Sequence, residues 1–478
     1  MRERAVRGRF RPDGYIDSAG WASVAEDPGG LFCPLEFRYG RPEVRALFSR
    51  EARLARALRV EGALAMAEAK VGAIPAEDAE AIERAVGSGR VRLERVDALE
   101  SELRHDVMAI VRALAEASGA SGRWVHYGAT SADITDTALG LEIDEAIGVL
   151  RQDLTGLVRA LMGLARRHRA TPEVGRTHGQ SAVPITFGYK MAVAGAEFAR
   201  HRRRLDELRP RVAVGKMAGA VGTGAGFAKD SAAIEEEVMR RLGIVADEAP
   251  IQIVMRDRIA EFVNWQALVA ASAERLATEI RNLQRSEIAE VAEAFDEAHQ
   301  VGSSTMAQKR NPIVSENVAS LARLVRAFAA VPMDNMVQWH ERDLTNSANE
   351  RIVLPHGVVL LDDLVTKLTG VIRGLDVRTE RMRENLDRTG GIEMTESLML
   401  SLTAHGMARA DAHELLRRLT RDPTQSPPLA DRVRADPTVR QHLTEAELAA
   451  VLASSQYTDA AATKTDRILA RLEPEFSR

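Results

Sequence analysis

The sequence predicts an all-α protein organised around long amphipathic helices, and three observations lead there. Aromatic residues are only 4% of the 478, while the hydrophobic share is 45%. Aliphatic and alanine packing of that kind suits helix on helix better than sheet on sheet. Ile143, Ile147, Leu150, Leu154, Leu157, Leu161 and Leu164 alternate spacings of four and three, with polar residues between them. That is a heptad seam. Ile259, Phe262, Val269, Ala273, Leu276, Ile280 and Leu283 repeat it, inside a run from Pro250 to Gly302 with neither Pro nor Gly.

In chain order, the first thirty or so residues contain DPGG and little periodicity, and read as a loosely structured extension. The opening MRERAVRGRF has no apolar stretch of the signal-peptide kind. From Pro42 the pattern turns helical and continues as shorter helices to about Tyr127. Thr130 and Asp133 form an [ST]-x-x-[DE] start for the first long helix. The second long segment follows Pro250. A third begins at Asn311-Pro312, where Asn can cap and Pro suits the first helical position. After Gly390-Gly391 a shorter helical pattern resumes, is broken by DPTQSPP and ends in a polar helical tail. Three domains are expected: 1–127, 128–378 and 379–478. Seams of this length point to a coiled bundle shared between subunits. The alternative, an α-solenoid, lacks the internal repeat it would need.

Charge and composition exclude several classes. Lys and Arg number 65 against 69 Asp and Glu, a net charge of -4 with the signs mixed along the chain. No basic stripe points to nucleic acid. No apolar run is long enough for a bilayer. Cys33 is the single cysteine, so no internal disulfide can form, and a reducing, cytoplasmic setting fits. The Cys and His content has no metal-ligand spacing, so no metal or organic cofactor is expected.

Three polar segments border the long helices and carry the chemistry. Gly302 to Pro312 reads GSSTMAQKRNP. Its Gly and Ser residues supply mobility and N–H groups, and Lys309 and Asn311 supply a cation and an amide. Such a loop can surround an anion and stabilise charge on its oxygens. The plain reading is an interhelical loop with a capping Asn. Gly175 to Gln180 reads GRTHGQ, a loop whose His178 titrates near neutral pH and can exchange protons with a substrate. A structural histidine is the plain reading. Tyr127 to Ile134 reads YGATSADI, with the Thr130 and Ser131 hydroxyls at a helix N-terminus. That end favours a carboxylate, and it also simply needs a cap.

Together these loops resemble the aspartase/fumarase superfamily, whose signature GSSxMPxKxNP has its counterpart in GSSTMAQKRNP. The likeness runs from about Phe37 to Ala410. Within the superfamily the details are similar to the adenylosuccinate lyase family. Arg38-Tyr39-Gly40 resembles its early phosphate-contacting segment, and Arg104-His105-Asp106-Val107 its HDV segment. Thr177-His178 with Thr186-Phe187-Gly188 resembles TH…TFG. Gln252 precedes Arg256-Asp257-Arg258 as the family's substrate-contacting glutamine does. Glu341-Arg342-Asp343-Leu344-Thr345 and Ser347…Glu350-Arg351 resemble ERDLS…SxxER. Two positions depart: Ala307 replaces the signature's proline, and Asn346 stands where many members have His.

The resemblance implies a lyase that eliminates fumarate from a succinyl-substituted nitrogen, acting on adenylosuccinate and SAICAR. It implies Ser303 as base, His178 as acid with Glu316 as its partner, and Lys309 and Asn311 stabilising an aci-carboxylate carbanion. It implies His105 near the leaving group or its phosphate, and Thr130, Ser131 and Thr177 on the carboxylates. Arg38, Tyr39, Arg342, Ser347 and Arg351 would hold phosphate, with Asp106, Gln252, Ser304 and Met306 also touching substrate. A homotetramer with sites built from three subunits is implied too. The alternatives are elimination from another N-substituted succinate, a carboxymuconate cycloisomerase, or a non-catalytic helical scaffold.

Overall fold

The structure, a computed structural model, describes residues 33–227, 229–296, 302–421 and 427–476. The N-terminal extension and most of the DPTQSPP break lie outside the described residues. Helices dominate as the sequence predicts. Strands form only three two-stranded sheets among the described residues. The chain divides into two units, each discontinuous in sequence: 1–146 with 210–258 and 335–349, and 147–209 with 259–334 and 350–478.

In the first unit, the helix Arg50–Lys70 starts where the Ser49 hydroxyl accepts the Ala52 N–H at 3.1 Å. That bond satisfies one of the orphan donors of the first turn. Leu54 and Leu58 on this helix pack with Ile82 of Ala76–Gly87, Leu99 of Leu93–Leu103 and Leu114 of Asp106–Ser118. Its other face carries Val60 and Leu64, which pack with Ile134, Leu141, Met217 and with Ile234 and Val238 of Ser231–Leu242. Arg56, a residue of this helix, is buried. Its guanidinium donates to Glu142 at 3.0 Å, to Glu145 at 2.6 Å and to the Leu47 carbonyl at 2.7 Å. Val214–Gly215 and Val245–Ala246 pair as a short parallel sheet.

The first seam lies on the 37-residue helix Ser131–Arg167. In the second unit Ile147, Leu150, Leu154, Leu157, Leu161 and Leu164 are at most 1% exposed. The helices Phe187–Val212, Asp257–Leu283 and Ser347–Gly374 belong largely to this unit. A line of buried polar groups ties two of them. The Trp265 indole donates to the His201 carbonyl at 3.0 Å, His201 Nε2 meets Ser272 Oγ at 2.8 Å, and Ser272 donates to Glu197 at 2.6 Å. Burial, helped by Arg204, pulls the His201 imidazole down to about 4, so it stays neutral and the line carries no charge at the histidine. Further on, Leu398, Leu402, Leu415, Leu416, Leu429, Val433 and Leu448 make a small separate core. The final helix, Ser455–Phe476, is tied to the long helix by Arg166–Glu473 at 2.5 Å, and Arg169, just past the end of that helix, pairs with Asp466 at 2.7 Å.

The structure corrects four local expectations. The seam residues are buried within a single chain, so seam length alone does not require a second copy. The helix after Pro250 closes at Leu283 rather than continuing toward Gly302. Ala289 takes a left-handed φ of 53°, and Val291–Ala292 pairs with Asp376–Val377, so tertiary pairing overrides helix propensity there. The GRTHGQ segment is a β-hairpin, not an irregular loop: Pro172–Thr177 pairs antiparallel with Gln180–Thr186. Asn311 does not cap the next helix and Pro312 sits at the cap rather than inside; the helix is Ile313–Ala327.

These contrasts set a stability order along one helix. Leu157 is 0% exposed, and Leu157→Ala is expected to cost about 2–5 kcal/mol in urea unfolding. The exposed Arg151–Asp206 pair, 2.8 Å apart, should contribute less than about 1 kcal/mol when Arg151 is changed to Ala. Equal losses would contradict the assignment of the seam to the core.

Candidate active site

In the first unit, Arg38 and Tyr39 follow a short turn, Pro34–Glu36, and their N–H groups donate to the Pro34 carbonyl at 2.8 and 3.2 Å. Arg38 is exposed and Tyr39 half-buried. Arg104 ends one helix in a left-handed conformation, and His105 caps the next. His105 Nδ1 accepts the Met108 N–H at 3.3 Å. An accepting Nδ1 carries no proton, which leaves the proton of the neutral ring on Nε2. The ring is about half exposed, at 48%. Asp106 accepts its own neighbour's N–H, from Val107 at 2.8 Å.

Thr130 and Ser131 are half-buried at the start of the long helix. The Thr130 N–H donates to Asp133 Oδ2 at 2.8 Å, half of the capping box that the sequence suggests. Gln252 and Arg342 come together: Arg342 donates to Gln252 Oε1 at 3.1 Å, and Gln252 donates to the Ala220 carbonyl at 2.9 Å. The Arg342 Nε is buried and carries no hydrogen bond, a donor left over in a guanidinium already half engaged. Ser347 opens the helix Ser347–Gly374, with Arg351 four residues on and therefore on the same face. Asn346 is buried at 3% exposure.

In the second unit, His178 and Gly179 are the two-residue turn of the hairpin, with φ of 55° and 76°. Two positive φ values in a row make the turn that matches strand twist, and glycine meets the second at no steric cost. His178, with Thr177, is exposed at the tip. The strand beneath it is held hard. Arg176 forks onto Glu290 at 2.9 and 2.6 Å, and Asn385 donates to the same carboxylate at 2.8 Å. Glu173, wholly buried, lies 2.9 Å from the Lys190 ammonium. Burial lifts its carboxyl to about 7, against the pull of Lys190.

The segment from Gly302 to Pro312 is a closed loop. The Asn311 side chain donates to the Gly302 carbonyl at 3.2 Å. A Cβ on Gly302 would lie 2.0 Å from the Lys309 carbonyl oxygen, so only glycine permits this approach. Ser303 Oγ accepts two backbone N–H groups, from Met306 at 3.1 Å and Thr305 at 3.3 Å. Ser304, Met306 and Lys309 are exposed along the loop. The Arg310 guanidinium lies 4.9 Å over the Phe295 ring. Glu316 is exposed in the first turn of the following helix. No hydrogen bond joins His178 to Ser303 or Glu316 among the described residues of one chain.

Three supports went unread in the sequence. Glu293 caps the helix Ile313–Ala327, accepting Ser315 N–H at 2.6 Å and Val314 N–H at 3.1 Å. Glu290 anchors the hairpin. Lys216, fully buried, pairs with Asp133. Only Lys216 leaves a trace in the sequence, as one cation inside the apolar, glycine-rich run VAVGKMAGAVG. His126, just before the Thr130 segment, was also passed over. Its Nδ1 lies 2.7 Å from the buried Glu61 carboxylate, which outweighs burial and raises its pKa.

Known proteins resemble this chain over most of its length. Residues 36–327 match the family model described as Lyase, and residues 391–468 match that of the adenylosuccinate lyase C-terminus. The adenylosuccinate lyase of Pyrococcus abyssi is 45% identical over 416 residues, covering 87% of this chain and 92% of that protein. That of Archaeoglobus fulgidus is 41% identical, covering 91% and 97%. Among solved structures, a fumarate lyase from Mesorhizobium sp. BNC1 superposes with a TM-score of 0.82 at 32% identity, covering 92% of this chain and 100% of that one. A 3-carboxy-cis,cis-muconate lactonizing enzyme from Pseudomonas putida gives 0.81 at 31% identity, covering 92% and 98%. With the signature loop, the helical architecture and this extent of similarity in hand, the chain belongs to the adenylosuccinate lyase family of the aspartase/fumarase superfamily, and is a carbon–nitrogen lyase.

Proposed function

We propose that this lyase eliminates fumarate from adenylosuccinate to release AMP, and from SAICAR to release AICAR, in purine nucleotide biosynthesis. The observation that carries the proposal is the Ser303 hydroxyl, whose oxygen receives the N–H groups of Thr305 and Met306. A serine hydroxyl is a weak base in water. Two N–H donors aimed at its oxygen favour the alkoxide, and Lys309, on the same loop, can add its cation.

In the proposed reaction the Ser303 alkoxide takes a proton from the succinyl carbon next to a carboxylate. The electron pair flows into that carboxylate as an aci-form, stabilised by Lys309 and the Asn311 amide. The pair then returns to form the carbon–carbon double bond as the C–N bond breaks. His178, charged and oriented by Glu316, protonates the departing nitrogen. Thr130, Ser131 and Thr177 hold the carboxylates of the succinyl group. His105 lies by the leaving group, where its Nε2–H can donate. Asp106, Gln252, Ser304 and Met306 complete the contacts.

Arg38, Tyr39, Arg342, Ser347 and Arg351 hold the nucleotide phosphate, since arginine forks suit phosphate oxygens. The buried, unengaged Nε of Arg342 supports this. Each site is assembled from loops of three subunits of a homotetramer, working in the cytoplasm. That His178 bonds neither Ser303 nor Glu316 within the described residues of one chain is compatible with such sharing.

Ser303→Ala should abolish turnover of adenylosuccinate while leaving its binding largely intact. Near-normal kcat, followed by the absorbance change on AMP release, would remove Ser303 as the base. His178→Ala should lower kcat by about 10²–10⁴, and an unchanged rate would reassign the acid. Arg342→Ala should raise KM by about 10- to 100-fold with kcat little changed, since charged hydrogen bonds contribute ~1.5–3 kcal/mol. A parent enzyme that prefers a substrate without phosphate would overturn the nucleotide reading and leave the lyase intact.

A further inference from the structure

Asp133 lies in the first turn of the long helix, and neither its side chain nor that of Lys216 has any exposure. The Lys216 ammonium bonds Asp133 Oδ1. The same oxygen accepts the Ala218 N–H at 2.9 Å, and both carboxylate oxygens lie 3.2 Å from the Gly219 N. Oδ2 also accepts the Thr130 N–H at 2.8 Å. The backbone of Lys216 is clasped in turn by Thr137, whose Oγ1 accepts its N–H at 3.0 Å and donates to its carbonyl at 2.8 Å. Glu235 accepts the next N–H, from Met217, at 2.8 Å.

A helix start needs none of this. Ser49 caps another helix of the same unit with one hydroxyl. A buried ion pair is a poor route to stability, because removing both ions from water offsets their attraction. What it does supply is geometry. One carboxylate holds the backbone of Thr130 and of residues 218 and 219 at hydrogen-bond distance from a single point. Ala220, the next residue, receives Gln252, and Gln252 receives Arg342. A continuous line of bonds therefore runs from the Thr130–Ser131 helix end to Arg342, through Asp133.

We infer that Asp133 and Lys216 are positioning residues that fix the spacing between the succinyl-binding helix end and the turn carrying Gln252 and Arg342. A substrate with a carboxylate at one end and a phosphate at the other is then gripped at both ends in register. The inference rests on the proposed function for the identity of those two ends.

The test is the double variant Asp133→Asn/Lys216→Met, a neutral pair of similar volume that leaves no buried charge unpaired. Asparagine has one acceptor oxygen and an NH₂ group, so it can serve Thr130 or residues 218 and 219, not both. The expected result is a fall of about a hundredfold in kcat/KM for adenylosuccinate, with the parent's inhibition constants retained for AMP and for fumarate. Each of those ligands engages one end only and does not need the spacing. Weakening of all three alike, or of none, overturns the inference. Amide hydrogen exchange of the unaltered enzyme is a second measure, independent of whether the variant folds. The Thr130, Ala218 and Gly219 amides should be among the slowest to exchange in their segments. Exchange at the rate of the flanking loop residues overturns the clamp. If the unaltered enzyme does not cleave adenylosuccinate, the proposed function fails, and the exchange result still decides the clamp.

Discussion

Buried carboxylates at the ends of secondary-structure elements are the constraint on which the candidate site depends. An ionised carboxylate cannot be left in the interior without a full set of donors. Asp133, Glu290 and Glu293 each meet that requirement by gathering groups from separate stretches of chain. Asp133 collects N–H groups of residues 130, 218 and 219 together with Lys216. Glu290 collects the Arg176 fork and the Asn385 amide. Glu293 collects the first N–H groups of the helix after the signature loop. Because the donors must reach the carboxylate, the loops bearing Thr130, His178 and Ser303 have little freedom at their roots. At their tips side chains are exposed, Met306 and Lys309 among them.

The Ser303 segment illustrates how a root and a tip differ. Its two ends are stapled by Asn311 on Gly302 and by the close approach of Gly302 to the Lys309 carbonyl. Between those staples, Ser303 Oγ is the acceptor for a tight turn of its own backbone. The same two bonds that shape the turn also lower the energy of negative charge on that oxygen. A loop that lost its turn would therefore lose both donors to the Ser303 oxygen with it. The missing signature proline at Ala307 falls on the tip, where no staple depends on it.

The helical seams play a different part. Their residues are buried inside one chain, so they hold the scaffold whatever the number of copies. Polar lines such as His201–Ser272–Glu197 tie two of the helices without introducing a buried charge at the histidine. Within the first unit, residues as far apart in sequence as Gln252 and Arg342 meet at hydrogen-bond distance.

The sequence alone determined the helical class and the family, because heptad spacing and a long signature are local patterns that survive without coordinates. It also marked Thr130–Asp133 correctly as a helix start. It misread the hairpin, although His-Gly between β-branched runs is a turn signal, since the charged, glycine-containing stretch looked like loop. Nothing local announced that Leu283 would end a helix, that Asn311 would staple a loop rather than cap one, or that Glu293 would supply the cap instead. Those outcomes were decided by tertiary structure. Each depends on a donor and an acceptor brought together from distant positions, and pairing of that kind leaves no periodic trace along the chain.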